Sequence, residues 1–219
     1  MTGLTMKKAN RVKLFEEYLE ELFPNPRCEL EYSKDYELLI VVVLSAQTTD
    51  KRVNQVTRVL FERYPSLEAL ATADLEEVAE ILRPIGTFHK KAIFVQKIAE
   101  VLLEEYNGHV PNDPVSLQKM PGVGRKTTNV VLSNLYDYPA IAVDTHVERV
   151  SKRIAFCKES DDVRKVEVKL QKLYAKRNWA RRHHQMVLFG RYHCKAMKPE
   201  CDQCKMKEAC SYVQKLNKK

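Results

Sequence analysis

The sequence is short of the features that mark membrane-spanning or sheet-rich proteins. It has six glycines and one tryptophan in 219 residues. Its longest uninterrupted apolar run, Leu38 to Leu44, is far shorter than the ~20 residues that a membrane-spanning helix needs. No stretch alternates apolar and polar residues for long enough to indicate a half-buried strand. We therefore expect an intracellular, globular protein that does not enter a membrane.

The charge is unbalanced toward the basic side. Lys and Arg outnumber Asp and Glu by 37 to 29, which gives a formal net charge of +8 and a pI near 9.1. This excess favours a polyanionic partner, although a solvated lysine-rich surface would give the same composition. Six cysteines occur, and a reducing compartment would leave them as free thiols or metal ligands rather than as disulfides.

Apolar residues recur at helical spacing, and proline or glycine ends each run. Such runs stop before Pro24 and before Pro65, and a long one extends from Phe88 to Tyr106. The segment Leu38 to Leu44 is ambiguous, because its β-branched residues suit a buried strand as well as a buried helix. The helical surroundings favour the helix. The sequence thus predicts an all-α fold, and its composition marks no domain boundary.

One segment combines a tight turn with basic residues. Asp113 and Pro114 suit the N-cap and first position of a short helix, Pro121 to Gly124 suit a turn, and a second helix begins at about Arg125. The pattern indicates a helix-hairpin-helix. Its glycines and free amide groups suit a bound phosphate, whereas an ordinary turn in a helical bundle is the plain alternative.

A lysine follows this turn directly. Lys126 lies in the first helical turn, where the partial positive charge of the helix end disfavours an ammonium. A neutral amine is a nucleophile that could form a Schiff base with the C1′ carbon of a bound nucleotide sugar. From position alone, a lysine that contacts phosphate is the better interpretation.

Four cysteines are spaced C-x6-C-x2-C-x5-C near the C-terminus, at Cys194, Cys201, Cys204 and Cys210. Four thiolates suit either zinc or an iron–sulfur cluster. Zinc sites usually pair their ligands twice at short spacing, so the longer outer gaps weaken the zinc interpretation modestly. Cys28 and Cys157 fall outside the pattern and suit small apolar positions.

Three motifs together resemble the endonuclease III family, which comprises base excision repair DNA glycosylases with lyase activity. They are MPGVGRKTTNV at 120–130, AVDTHVERV at 142–150 and the four-cysteine pattern, and ELLIVVVLSAQTTD at 37–50 and LFGRYHC at 188–194 extend the similarity to nearly the whole chain. The resemblance implies an all-α helix-hairpin-helix DNA glycosylase fold. A six-helix domain would span residues 28–138, and residues 1–27 with 139–219 would form an iron–sulfur cluster domain.

The resemblance also implies the chemistry. Lys126 would be the catalytic nucleophile, Asp144 would be the catalytic aspartate that supports positive charge on the sugar, and the four cysteines would hold a [4Fe-4S] cluster. Asp144, or Thr145 with Glu148, would also suit a helix cap. The protein would remove oxidised pyrimidines from double-stranded DNA, act on abasic nucleotides, and nick the strand by β-elimination. It would be a cytoplasmic monomer, associated with the nucleoid if the source is prokaryotic, with no membrane partner.

The DNA contacts implied by the resemblance come from the turn, from two loops and from the helix after Asp144. They are Gln47, Asp50, Thr87, Phe88, His89, Lys119, Gly122, Val123, Gly124, Arg125, Thr127, His146 and Arg149. At Thr87 the chain departs from the family, which usually reads IGLY with leucine as a wedge, whereas residues 85–89 read IGTFH. Phe88 is a candidate replacement because its ring could stack on a base.

Three other functions remain open. A monofunctional mismatch glycosylase of the same superfamily typically lacks the lysine found at position 126. A non-catalytic DNA-binding protein would use the hairpin and the basic surface alone. A ferredoxin-like electron carrier would explain the cysteines but would leave PGVGRK and VDTH without a role.

Overall fold

The structure is a computed structural model that describes residues 6–217. Residues 1–5 and 218–219, which belong to the predicted cluster domain, lie outside that description. Within the described range all regular structure is helical and no strand occurs, as predicted. None of the helices between residues 6 and 217 has the length and apolar character of a membrane-spanning segment.

The described residues contain twelve α-helices, which are numbered here in chain order. They are α1 Lys8–Leu22, α2 Asp35–Leu44, α3 Asp50–Arg63, α4 Leu67–Ala71, α5 Leu75–Leu82, α6 Phe88–Tyr106, α7 Pro114–Lys119, α8 Arg125–Leu135, α9 Thr145–Arg153, α10 Val163–Leu173, α11 Trp179–Leu188 and α12 Ser211–Leu216. A π-helical turn, Phe189–His193, continues α11.

The chain divides into two compact units. Residues Cys28–Tyr138 form one of them, called here the hairpin unit. Of the residues described, 6–27 pack with 139–217 to form the other, called the cysteine unit. The hairpin unit contains α2 to α8, which is one helix more than the six expected. The extra helix arises because the Ser66 hydroxyl accepts a hydrogen bond from the Ala69 amide and starts α4 as a separate short element.

The ambiguous apolar segment forms helix α2. Every residue from Glu37 to Leu44 is buried, and α2 packs against both α6 and α8. The Glu37 carboxylate accepts hydrogen bonds from the amides of Ser33 and Lys34, at 2.7 and 3.2 Å, and so satisfies donors at the helix start. A helix buried on all sides has no polar face, which is why its sequence shows no helical periodicity.

Helix α6 is the longest element of the hairpin unit, and α4 and α5 pack along it. Left-handed residues bound it at both ends, Thr87 with φ 47° and Asn107 with φ 51°. Its first turn therefore follows directly on the loop that contains the departure from the family pattern.

The cysteine unit has its own apolar core, in which α1, α9 and the C-terminal segment meet. Phe15 of α1 lies edge-on to Phe156 and Phe189, with ring centroids 5.7 and 5.2 Å apart. Val147 and Val150 of α9 are fully buried in the same core. This packing fixes the position of α9, whose N-terminus carries Asp144.

Candidate functional site

The hairpin is built as its sequence predicts. The Asp113 carboxylate accepts hydrogen bonds from the amides of Val115 and Ser116, both at 2.9 Å, and starts α7. The Val123 amide then donates to the Met120 carbonyl at 3.1 Å and closes the turn. Val123 is buried and anchors the turn to the unit, so the residues after it project outward.

The two glycines of the turn meet different surroundings. Gly122 has φ 74°, and a Cβ atom there would lie 2.6 Å from Cδ2 of Phe94 and 3.0 Å from Cγ1 of Val43. Gly124 has φ −99°, and a Cβ atom there would have nothing within 4 Å. Gly122 therefore serves the packing of the turn, while Gly124 leaves open space in front of helix α8.

Lys126 occupies the second position of α8. Its N-cap residue is Gly124, which has no side chain that could accept a hydrogen bond from the first amide groups, and a helix start of this kind suits an anion. Arg125 and Lys126 are exposed, and so is Lys119 in the last turn of α7. The first turn of α8 thus presents a primary amine on a positively charged surface.

Asp144 is the N-cap of α9. Its Oδ1 accepts hydrogen bonds from the amides of His146 and Val147, at 2.9 and 2.8 Å. The cap is therefore Asp144 and not Thr145. The four residues before it, Ala140 to Val143, are all buried, so the carboxylate stands at the end of an anchored segment. Both cap bonds use one oxygen, and Oδ2 takes no part in the cap.

His146 and Arg149, two of the predicted DNA contacts, have structural partners inside the cysteine unit. Arg149 donates to the carbonyl of Gly190 at 2.6 Å and to that of Cys194 at 3.1 Å. Its guanidinium also lies 3.1 Å from Nδ1 of His146, and burial lowers the pKa of Arg149. A Cβ atom at Gly190 would lie 2.7 Å from Cβ of His146. The predicted DNA contacts of both residues stay predictions.

The four patterned cysteines line one pocket of the cysteine unit, together with apolar residues that include Phe189 and Met206. All four are free thiols. Burial raises the pKa of Cys204 to about 11. Burial and the neighbouring cysteines also raise the pKa values of Cys201 and Cys210. Because only thiolates bind metals, these four sulfurs need a positively charged centre to become stable ligands.

The arrangement of these thiols bears on the choice between zinc and an iron–sulfur cluster. Between residues 6 and 217 no three His, Cys, Asp or Glu side chains converge closely enough to hold one metal ion. Four cysteines nevertheless line a common pocket. A single zinc ion needs its ligands gathered about one point, whereas a four-iron cluster takes one thiolate at each iron and so spreads them. Four free thiols that line a common pocket are a donor set that fits a [4Fe-4S] cluster.

The lysines around the cysteines form ion pairs. Lys195 lies 2.7 Å from Glu200 and Lys207 lies 3.0 Å from Asp202, while Lys205 pairs with Glu21 of α1. Such exposed pairs contribute about 0–1 kcal/mol each, so an approaching phosphate could replace the carboxylates. The positive surface near the cysteines is therefore partly neutralised in the absence of DNA.

The predicted contacts around Gln47 and Thr87 lie on two loops of the hairpin unit. Gln47 is exposed with φ 57° and Thr87 is exposed with φ 47°. Phe88 is half-buried, and its ring centroid lies 4.3 Å from that of His89. Asp50 is the first residue of α3 and is half-buried. Both loops line one open groove, which Lys51 and Arg52 of α3 also line.

One further residue of this region, Lys91, was absent from the sequence predictions. Lys91 of α6 is 4% exposed, and its Nζ donates hydrogen bonds to backbone and side-chain oxygens of both loops. A sequence signal does exist, because Lys91 precedes Val95, Ile98 and Leu102 at helical spacing on the buried face of α6. The adjacent exposed Lys90 makes the pair look like an ordinary basic surface.

Comparison with known proteins places this geometry among DNA repair enzymes. A family model described as HhH-GPD superfamily base excision DNA repair protein matches residues 40–176. Endonuclease III of Bacillus subtilis (strain 168) is 44% identical over 214 residues, which cover 98% of each chain. A solved non-covalent endonuclease III–DNA complex superposes with a TM-score of 0.93 at 46% identity, covering 98% of this chain and 100% of the other. A trapped endonuclease III–DNA covalent intermediate gives 0.92 at 46% identity, covering 97% and 100%.

Proposed function

The chain belongs to the endonuclease III family of HhH-GPD base excision repair proteins, and we propose on this basis that it is a bifunctional DNA glycosylase and AP lyase. Its substrates are oxidised pyrimidines in double-stranded DNA and the abasic nucleotides that remain after base loss. The observation that carries the proposal is Lys126, an exposed amine in the first turn of α8 directly behind the Gly124 cap.

Lys126 supplies the nucleophile. Its neutral Nζ attacks C1′ of the damaged nucleotide, the bond from C1′ to the base breaks, and the base leaves with the bonding electrons and takes up a proton. Opening of the sugar ring and loss of a proton from nitrogen leave a Schiff base between Nζ and C1′. Removal of a C2′ proton then expels the 3′ phosphate, which nicks the strand.

Asp144 supplies electrostatic support. The sugar gains positive charge as the base departs, and a fixed carboxylate favours that charge. The two cap bonds at Oδ1 hold the carboxyl group in one orientation and leave Oδ2 for this task. Charge support of this kind acts before the Schiff base forms, so loss of Asp144 should slow base release more than lyase activity on an existing abasic site.

DNA is held by backbone contacts at the hairpin and by insertion of the two exposed loops. The uncapped start of α8 and the open space at Gly124 suit a phosphate. Exposed Lys119 and Arg125, with Thr127 on the same helix, add polar and charged contacts. Gln47 on one loop and Thr87 with Phe88 and His89 on the other enter the duplex, in this proposal, where a nucleotide is extruded.

A [4Fe-4S] cluster is held by Cys194, Cys201, Cys204 and Cys210. The pocket that these four cysteines share supports this assignment. When bound, the cluster would supply a covalent cross-link between the short helical turns from Cys194 to Cys210.

Borohydride trapping on an abasic duplex tests the function. The wild-type protein should form a covalent adduct with DNA, and Lys126→Gln should form none while it binds DNA within a few-fold of wild type. Lys97→Gln, which removes an exposed lysine of α6, is the matched control and should trap normally. Base release without trapping by the wild type would instead indicate a monofunctional glycosylase, and binding without either activity would indicate a non-catalytic DNA-binding protein.

A further inference from the structure

Lys91 is a buried lysine whose ammonium group is fully hydrogen-bonded. It lies in the first turn of α6 and is 4% exposed. Its Nζ donates to the Ala46 carbonyl at 3.0 Å, to Oγ1 of Thr48 at 3.1 Å and to the Ile85 carbonyl at 2.9 Å. An ammonium has three N–H groups, so these three acceptors use all of them.

This ammonium has no charged partner among residues 6–217, because all three acceptors are neutral oxygens. Burial lowers the pKa of Lys91, and no carboxylate counteracts it. Burying a charge without a counter-charge is unfavourable, and an apolar side chain of similar length would fill the same space at lower cost. The polar group therefore has a purpose other than stability.

The three acceptors belong to two loops that are far apart in sequence. Ala46 and Thr48 flank Gln47, and Ile85 stands two residues before Thr87. Thr48 adds a direct link, since its hydroxyl donates to the Ile85 carbonyl at 3.0 Å. The Lys91 amide also donates to the Thr87 carbonyl at 3.0 Å. One buried residue thus binds both loops, while the loop tips at Gln47 and Thr87 stay exposed.

Both loop tips adopt backbone conformations that need such support. Gln47 has φ 57° and Thr87 has φ 47°. A left-handed conformation costs a residue other than glycine about 1–2 kcal/mol, so it persists only when its surroundings fix it. The bonds of Lys91 fall on the residues immediately before and after Gln47 and on the segment that leads to Thr87.

The geometry points to Lys91 as a positioning residue that fixes the Gln47 loop (residues 45–49) and the Thr87 loop (residues 85–88) as one rigid two-pronged element before DNA binds. The inference rests on the proposed function for what the prongs do, which is to enter the duplex around an extruded nucleotide. Ordering them in the free protein removes an entropic cost from the binding step and places both tips within the tolerance that insertion needs. Both loops line the same open groove.

Hydrogen exchange on the DNA-free protein tests the structural part. Lys91→Met keeps the apolar stem and removes the three donors. Amides of residues 45–49 and 85–88 should exchange faster in this variant, whereas those of α8 should not change. Lys97→Met removes an exposed lysine of the same helix and should leave both loops as in wild type. Unchanged exchange at both loops in Lys91→Met would overturn the inference.

Kinetics tests the positioning role. With an abasic duplex, Lys91→Met should trap about tenfold or more slowly at saturating DNA, because displacement of the prongs by about 1 Å is enough to disturb the extruded nucleotide. With a duplex that has a one-nucleotide gap opposite the abasic site, where no opposite base must be displaced, the loss should be less than about threefold. Fluorescence of 2-aminopurine placed opposite the abasic site should rise less on binding than with wild type. If Lys91→Met slowed trapping equally on both duplexes and the 2-aminopurine fluorescence rose as in wild type, Lys91 would have only a structural role and the inference would be overturned.

Two further variants keep the test decisive. Lys91→Arg retains charge and donors and should recover part of the duplex rate. If Lys91→Met does not fold, Thr48→Val can replace it, because it removes one of the three acceptors and the direct link to Ile85. Amides of both loops should then exchange faster than in wild type, but to a smaller degree. Unchanged exchange in Thr48→Val would overturn the inference. Failure of the wild-type protein to trap abasic DNA would refute the proposed function, while the exchange result would still decide the role of Lys91.

Discussion

The two glycines of the hairpin should respond oppositely to substitution by alanine. Gly122→Ala would place Cβ 2.6 Å from the Phe94 ring in a residue with φ 74°, whereas Gly124→Ala would meet no atom within 4 Å. At position 122 the left-handed backbone costs about 1–2 kcal/mol and overpacking against the ring about 1–3 kcal/mol, or about 2–5 kcal/mol together. For a chain of this size that loss corresponds to a fall in Tm of roughly 4–20 °C.

Gly86→Ala separates the two contributions. Gly86 has φ 59° and ψ 153°, a conformation that residues other than glycine rarely adopt, and a Cβ atom there would have no other atom within 4 Å. Only the backbone cost therefore applies, about 1–3 kcal/mol or roughly 2–12 °C in Tm. Combining Gly122→Ala with Phe94→Leu should relieve the overpacking and bring the melting temperature toward that of Gly86→Ala. Calorimetric melting of the four variants measures these differences directly.

Gly124→Ala should behave differently from all of these. Its backbone is extended and its surroundings are open, so stability should change by less than about 1 kcal/mol. DNA affinity should fall on the order of tenfold, equivalent to about 1.4 kcal/mol, because the methyl group occupies the space into which a phosphate approaches α8. This division of roles would be refuted if Gly122→Ala had the same melting temperature as Gly86→Ala. It would also be refuted if Gly124→Ala were destabilised but bound DNA normally.

Four other predictions address the cluster, the loops, the basic surface and acid stability. Protein purified without oxygen should be yellow-brown with about four irons per chain, and Cys204→Ser should lose colour or misfold; a colourless, active protein with stoichiometric zinc would contradict this. Phe88→Ala should slow lesion processing in duplex DNA far more than Thr87→Ala, because a stacked ring contributes about 1–3 kcal/mol; two negligible effects would show that this loop does not wedge the duplex. Log K for DNA should fall with log salt, and Lys119→Ala should flatten the slope by about one unit; an unchanged slope would place Lys119 away from phosphate. Hydrogen bonds from arginines hold the pKa of Glu20 at about 2, below its usual 4.5, so this carboxylate stabilises the fold above pH 4.5 and its contribution is lost as pH falls toward 2. Between pH 6 and pH 3 the free energy of unfolding, measured with denaturant, should decline less in Glu20→Gln than in wild type, and an equal decline would contradict the assignment.

Local sequence determined much of the fold. Asp74, Asp113 and Asp144 each precede a helix and accept hydrogen bonds from its first amides, because capping depends on residues two or three positions apart. The start of α8 at Arg125 and the span of α6 follow from the same local signals. Family membership was also predicted from the sequence, because each of the three motifs lies within a short segment of the chain. The comparisons with known proteins confirm it.

Other features depended on packing between distant segments. Leu38 to Leu44 is helical because α6 and α8 cover it on all sides, and a uniformly apolar run carries no period from which to predict that. Arg149, whose DNA contact stays a prediction, donates hydrogen bonds to carbonyls of residues 41 and 45 positions away, which its sequence neighbours do not indicate.

The sequence by itself determined where several helices begin and which family the chain belongs to, because those signals reside in neighbouring residues; the residues that carry the chemistry stay predictions from the same motifs. The tertiary structure alone decided the contacts of polar residues whose partners are distant in sequence. Lys90 and Lys91 are both lysines and are adjacent in sequence, yet the first is exposed and the second is buried beneath two loops. A helix turns by about 100° per residue, so neighbours on α6 face opposite environments, and only the packing of the whole unit determines which of them meets solvent.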